Sequence, residues 1–209
     1  MITLADSYFN ELIMGISIPY FGIKKSRKIF GVGTLKTGTT SLGSALEVLG
    51  FKHTHGNREY LLKQVQLGNL AKVFRWADRH ESFEDWPWPL IYQELDARYP
   101  NSQFILTTRA NENDWLKSIV RHSERFGPSL GRRLFFGYKM PQKHEAHYLE
   151  RYHQHNQQVR DYFKDKPGKL LEVCWENGDT WTKLCSFLDV AVPDEPFPKV
   201  NTAANRINK

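Results

Sequence analysis

Apolar positions along the chain alternate between two spacings. Ile29-Phe30-Gly31-Val32-Gly33 is a short, apolar, β-prone run that breaks into a Gly/Thr-rich turn. From Ser41 to Leu49 the apolar residues Leu42, Ala45, Leu46 and Leu49 then recur at helical spacing, and Gly50 stands where a helix-ending glycine is expected. This is strand, loop, helix, the opening unit of a nucleotide-binding α/β fold. The centre of Gln103 to Thr108 is almost continuously apolar, as in a strand covered on both faces of a parallel sheet. Pro89 to Tyr99 reads as a helix with Leu90, Ile91, Leu95 and Tyr99 inward, and Asn113 as the cap of a helix through Trp115, Leu116, Ile119 and Val120. Tyr148 to Phe163 reads as a polar helix with Tyr152, Val159 and Tyr162 inward, Lys169 to Val173 as a third strand, and Asp179 to Leu188 as a closing helix. Pro193, Pro196 and Pro198 keep the tail extended. Strands alternating with helices predict an α/β, P-loop nucleotide-binding fold with a central parallel sheet flanked by helices.

Length and composition agree with one domain: 209 residues, 40% of them hydrophobic. Residues 1–27 read as an appendage, helical in pattern, ending in the basic cluster Lys24, Lys25, Arg27 and Lys28, with the globular domain over 28–209. The apolar stretch from Tyr8 to Ile23 contains Asn10, Glu11 and Pro19 and has no basic residues before it, so neither a signal peptide nor a membrane span is expected. Cys174 and Cys185 lack C-x-x-C spacing, which argues against a disulfide framework or a cysteine zinc site and for a cytoplasmic setting. The formal charge of +6 favours anionic ligands. Because the basic residues are dispersed and not gathered into a tract, nucleic acid is not the expected partner.

The most informative stretch runs from Gly31 to Ser41, at the strand-to-helix junction where a phosphate-binding loop belongs. Glycines there let successive N–H groups converge on an anion, the helix adds its positive end, and Thr39, Thr40 and Ser41 add hydroxyls. Gly33 to Gly38 has the spacing of the nucleoside-triphosphatase pattern G-x-x-x-x-G-K-[ST], yet Thr39 replaces the lysine that would reach the β- and γ-phosphates. The lysine lies inside the loop, as Lys36. Such a lysine reaches a group beyond a 5′-phosphate.

Lys36-Thr37-Gly38-Thr39-Thr40-Ser41 resembles the 5′-phosphosulfate loop of sulfotransferases that use 3′-phosphoadenosine 5′-phosphosulfate (PAPS). Leu35 stands where many members have proline, which contributes stiffness and no ligand. The family's 3′-phosphate site pairs a strand-end arginine with a serine of the following helix, and Arg109 and Ser118 match those positions. A dianionic phosphate suits a guanidinium fork with a hydroxyl beside it. Taken alone, Arg109 is equally a surface ion-pair residue, with Asp114 as a candidate partner. Trp86-Pro87-Trp88-Pro89, Tyr92, Leu95, Tyr99-Pro100 and Pro196-Phe197-Pro198-Lys199-Val200-Asn201 extend the resemblance over residues 28–202, to a compact branch of small sulfotransferases.

The resemblance implies transfer of a sulfuryl group to a hydroxyl or amine of a small acceptor, with Lys36 at the leaving group and no metal required. A base must take the acceptor's proton. The family often places a histidine in T-H-x-P. Glu84-Asp85-Trp86-Pro87 corresponds and puts Asp85 there, with an N-cap or loop carboxylate as the structural alternative. His53 and His55 are the other candidates, and His80 a weaker one. His144, His147, His153 and His155 lack the H-E-x-x-H spacing and read as solvent-facing helix residues. Trp76, Phe83, Trp86 and Trp88 serve either as core or as an acceptor-pocket wall. The competing readings are a P-loop kinase of a small metabolite and a non-catalytic nucleotide-binding module.

Overall fold

The computed structural model describes residues 27–54 and 58–199. The appendage before Arg27, His55 and the last residues of the tail lie outside the described residues. Four strands, β1 (Ile29–Gly31), β2 (Ser82–Phe83), β3 (Gln103–Thr107) and β4 (Leu170–Val173), form one parallel sheet in the order β2-β1-β3-β4. The helices are α1 (Thr39–Val48), α2 (Arg58–Gln66), α3 (Leu70–Ala77), α4 (Tyr92–Arg98), α5 (Glu112–Phe126), α6 (Leu130–Phe136), α7 (Glu145–Phe163) and α8 (Trp181–Leu188).

The strands are apolar on both sides because both faces are covered. On one face Ile29 and Ile105 pack with Leu42, Ala45 and Leu46 of α1 and with Trp181, Leu184 and Leu188 of α8. On the other, Phe30 lies in register between Phe83 and Phe104, its ring 4.7 Å from the first and 5.6 Å from the second. Phe163 of α7 then packs 4.6 Å from Phe104. This aromatic row ties three strands and a helix together through ring contacts that add to plain area burial.

Several boundaries differ from the sequence reading. Asn111, not Asn113, caps α5, its side chain accepting from the backbone N–H groups of Asn113 and Asp114. The expected Pro89 to Tyr99 helix is broken: Trp88–Leu90 makes one tight turn, Ile91 adopts φ −134°, and α4 starts only at Tyr92. The helices α2, α3 and α6 and the two-residue β2 carry too short or too polar a pattern to be read locally. Lys28 is not a junction residue. It is buried, and its Nζ donates to the carbonyls of Ala77 (2.7 Å) and His80 (2.6 Å), satisfying the C-terminal end of α3.

The chain leaves β1 toward β2 on one side and returns to β3 on the other. The carboxyl ends of β1 and β3 therefore bound the crevice where open α/β sheets bind ligands. Gly33 lies so close to β3 that a Cβ there would sit 2.0 Å from Thr107 Oγ1 and 2.5 Å from its carbonyl oxygen. Gly33→Ala is expected to cost about 3 kcal/mol through this overlap. Urea unfolding checks it, and an unchanged midpoint would count against so close an approach.

Candidate active site

The loop between β1 and α1 holds its carbonyl groups outward. His155 Nε2 donates to Val32 O at 2.7 Å, Thr37 Oγ1 to Thr34 O at 2.6 Å, and Trp115 Nε1 to Leu35 O at 2.9 Å. Arg109 Nη1 donates to Lys36 O at 3.1 Å and Trp175 Nε1 to Gly38 O at 3.1 Å. The hydroxyl proton of Thr37 is spent on Thr34, so Thr107 Oγ1 is the donor in their 2.6 Å contact. Lys36 sits at φ +70°, a left-handed conformation costly for any residue with a Cβ, and these ties on either side hold it there. Gly38 at φ +94° turns the chain into α1 and leaves no room for a side chain against Trp175.

With the carbonyls engaged, the amide groups remain for an anion. α1 has no side-chain cap and no acidic residue in its first turn, so its N-terminal amides and positive end face the loop. Thr39 and Ser41 are buried there, Thr40 is exposed, and the Thr34 hydroxyl is fully buried with no hydrogen-bond partner. An anionic group with several oxygens fits such a cradle.

Beside the loop, Arg109 follows the end of β3. Its Nη2 meets Glu176 Oε1 at 2.5 Å, while Glu176 Oε2 accepts from Ala110 N at 3.0 Å. Asp114, the partner considered from sequence, pairs with Lys117 instead. A carboxylate of the chain itself thus occupies the fork and the adjacent amide. Ser118 is half-buried in the second turn of α5, and its hydroxyl has no hydrogen-bond partner among the described residues.

On the β2 side of the crevice, Glu84 and Asp85 are both buried. Arg58, at the start of α2, bridges them, Nη2 at 3.1 Å from Glu84 Oε1 and Nη1 at 3.0 Å from Asp85 Oδ2. Asp85 has φ +65°, and its Oδ1 accepts from Trp86 N at 2.8 Å. Burial raises the Asp85 pKa above the ordinary carboxylate value, and the Arg58 and Lys36 charges pull in the other direction. His53 lies against Gly43 of α1, with Nδ1 2.9 Å from Ser82 Oγ. The other candidate base, His55, lies outside the described residues.

The sulfotransferase domain model matches residues 28–142 and 125–206. The chain belongs to the sulfotransferase family. The sulfotransferase is also 28% identical, over an alignment of 221 residues covering 86% of it and 83% of the relative, to Ava biosynthesis cluster protein M of Aspergillus versicolor. Its fold is similar to that of the crystal structure of a sulfotransferase from Alicyclobacillus acidocaldarius, with TM-score 0.58, 17% identity, and coverage of 86% and 87% of the two chains. No helix among the described residues is long and apolar enough to cross a membrane.

Two groups in this sulfotransferase depart from the sequence reading or were missed by it. His155 is not solvent-facing: it is buried on α7, and burial pushes its pKa down to about 4. Its neutral ring carries the proton on Nε2, because Val32 O can only accept. Of its neighbours, His144 stacks on Tyr138, His147 is half-buried, and His153 is exposed beside Glu112. Arg58 was missed because nothing local distinguishes it from other helix-start arginines. Phe83, Trp86 and Trp88 belong to the core, while Trp76 is only half-buried.

The lowered His155 pKa predicts acid sensitivity. Neutral His155 contributes stability that is full above about pH 6.5, the ordinary value, and is lost as pH falls toward 4, a loss of about 3 kcal/mol. His155→Gln keeps an N–H donor and does not titrate, so its urea midpoints should flatten across that window. The wild-type slope persisting in His155→Gln would assign the acid sensitivity elsewhere. For Asp85, Arg58→Gln removes the main charge opposing burial, so its carboxyl should titrate at still higher pH by carbon-13 NMR. A lower value in the variant would contradict the arrangement.

Proposed function

We propose that this sulfotransferase moves a sulfuryl group from PAPS to a hydroxyl or amine of a small acceptor. One observation carries the reading: donors from four elements tie back the carbonyls of the loop that holds Lys36, while the uncapped amides of α1 and the buried, unpartnered Thr34 hydroxyl are left for an anion. Residues 37 to 41 supply amides, and Thr39, Thr40 and Ser41 hydroxyls, for a 5′-phosphate. Arg109 and Ser118 take the 3′-phosphate, for which Glu176 must first release the guanidinium.

Sulfuryl transfer breaks one S–O bond and forms another, so the chain's task is to align donor and acceptor and to stabilise charge as it moves to the leaving phosphate. Lys36 stabilises that charge. Asp85 takes the acceptor proton, and its raised pKa brings its basicity nearer to neutral pH. Arg58 orients the carboxylate through Oδ2. The protein would act in the cytoplasm, a setting that suits its free, buried Cys174 and Cys185. A small-metabolite kinase reading is disfavoured because Thr39 stands where a triphosphate needs lysine.

The test uses labelled PAPS with a panel of alcohols, phenols and amines. Lys36→Ala should lower transfer about 100-fold or more while product-nucleotide binding stays within about tenfold. Asp85→Asn should bind the nucleotide normally and lose the acidic limb of the rate profile. Near-normal turnover in Lys36→Ala would make the lysine structural. In calorimetry, 3′-phosphoadenosine 5′-phosphate should bind far better than 5′-AMP, and Arg109→Ala should cost about 2–4 kcal/mol of that binding. Equal affinity for the two nucleotides would remove Arg109 and Ser118 from the donor site.

A further inference from the structure

A second cleft lies away from the loop, between α2 and α3. It has a volume of about 250 Å³ and is lined by Tyr60, Lys72, Arg75, Trp76 and Arg79. Three of these five side chains are cationic, two are aromatic, and none is acidic. None belongs to the loop, to the Arg109 site or to the Asp85 group.

The sequence spacing explains the arrangement. Lys72, Arg75, Trp76 and Arg79 stand at i, i+3, i+4 and i+7, so α3 and the turn after it present them as one stripe. Like charges so placed repel each other, and among the described residues no carboxylate forms an ion pair with any of the three. Asp78, the acidic residue in their midst, is committed to Arg98 at 3.1 Å and to the Tyr99 hydroxyl at 2.8 Å on the other side of the turn. The three cations are exposed.

The aromatic walls are held in place. Trp76 donates from Nε1 to Thr54 Oγ1 at 3.2 Å and packs against His80 at 5.0 Å, so its remaining face is fixed toward the cleft. Tyr60 stands opposite on α2, 47% exposed. A rigid indole, an open phenol and three cations around an open cleft somewhat smaller than ordinary ligand pockets suit a ligand of one or two rings bearing a negative group. A bare inorganic anion would leave the ring faces unused, and a neutral ring would leave the charges unused.

We propose that this cleft binds a small aromatic anion, a ring carrying a sulfate, sulfonate or carboxylate group. The ring packs between Trp76 and Tyr60, and the anionic group meets Lys72, Arg75 and Arg79. The site is independent of the donor loop and of the transfer reaction proposed above.

The full chain is titrated by calorimetry with 2-naphthalenesulfonate, and separately with 2-naphthol and inorganic sulfate, the two halves of that probe. The expected result is binding of the sulfonate at least tenfold tighter than of either half. The charge-neutral variant Lys72→Gln/Arg75→Gln/Arg79→Gln should weaken it at least tenfold, and Arg75→Gln alone at least threefold, both retaining the wild-type circular dichroism spectrum. Product nucleotide should neither displace the probe nor lose affinity in the triple variant, which separates this site from the donor reading. The proposal is overturned if the sulfonate binds no better than inorganic sulfate or if Arg75→Gln binds it undiminished. Displacement of the probe by the nucleotide would also overturn it, as would capture of an oligonucleotide through the same three cations without any sulfonate binding.

Discussion

Everything at the crevice beyond β1 and β3 depends on how the carbonyl groups of one loop are held. Backbone amides can converge on an anion only if the carbonyls between them are turned away and satisfied, since a buried, unpaired carbonyl is costly. Here α7, α5, the end of β3 and the turn after β4 each send one side-chain donor to a different loop carbonyl, from His155, Trp115, Arg109 and Trp175. The loop is thus a structure made by the rest of the domain, and Lys36 keeps its left-handed backbone because its neighbours on both sides are fixed.

The same demand accounts for the sheet. Donors from four separate elements reach one loop only if β1 is central and β3 and β4 follow it in order, with both faces covered so that the strands stay in register. The row Phe83, Phe30, Phe104 and Phe163 holds that register on one face. Close approach of Gly33 to Thr107 holds it at the strand ends, where the crevice opens.

Charge is distributed around the crevice with opposite signs on its two sides. The loop, Arg109 and the end of α1 make one side positive, and Glu84 and Asp85 make the β2 side acidic. Burying two adjacent carboxylates is tolerable because Arg58 reaches both, and with Asp85 at positive φ the group is held away from relaxed geometry. Glu176 on Arg109 plays the corresponding part on the positive side. Each cluster has a counter-charge from another element, which offsets part of its field.

The sequence by itself determined the α/β class, the strand-loop-helix opening, three of the four strands and the place of the Gly/Thr-rich loop between β1 and α1. These are local signals: apolar spacing sets the element type, and glycine with hydroxyl residues at a strand end is chemistry written within about ten consecutive positions. Only the tertiary structure decided which residues serve that loop. His155 lies 123 positions from the carbonyl it holds, and on α7 it stands in the polar run His153-Gln154-His155-Asn156-Gln157-Gln158, so its pattern was that of a surface histidine. Arg58 meets Asp85 across 27 positions, and Glu176 meets Arg109 across 67. The helices α2 and α3, too polar or too short to be read, pack so that Tyr60 of α2 stands beside the stripe of Lys72, Arg75, Trp76 and Arg79 in one cleft. Ion pairs and side-chain-to-carbonyl bonds depend on where a chain returns to itself, and that is settled by packing across the sheet.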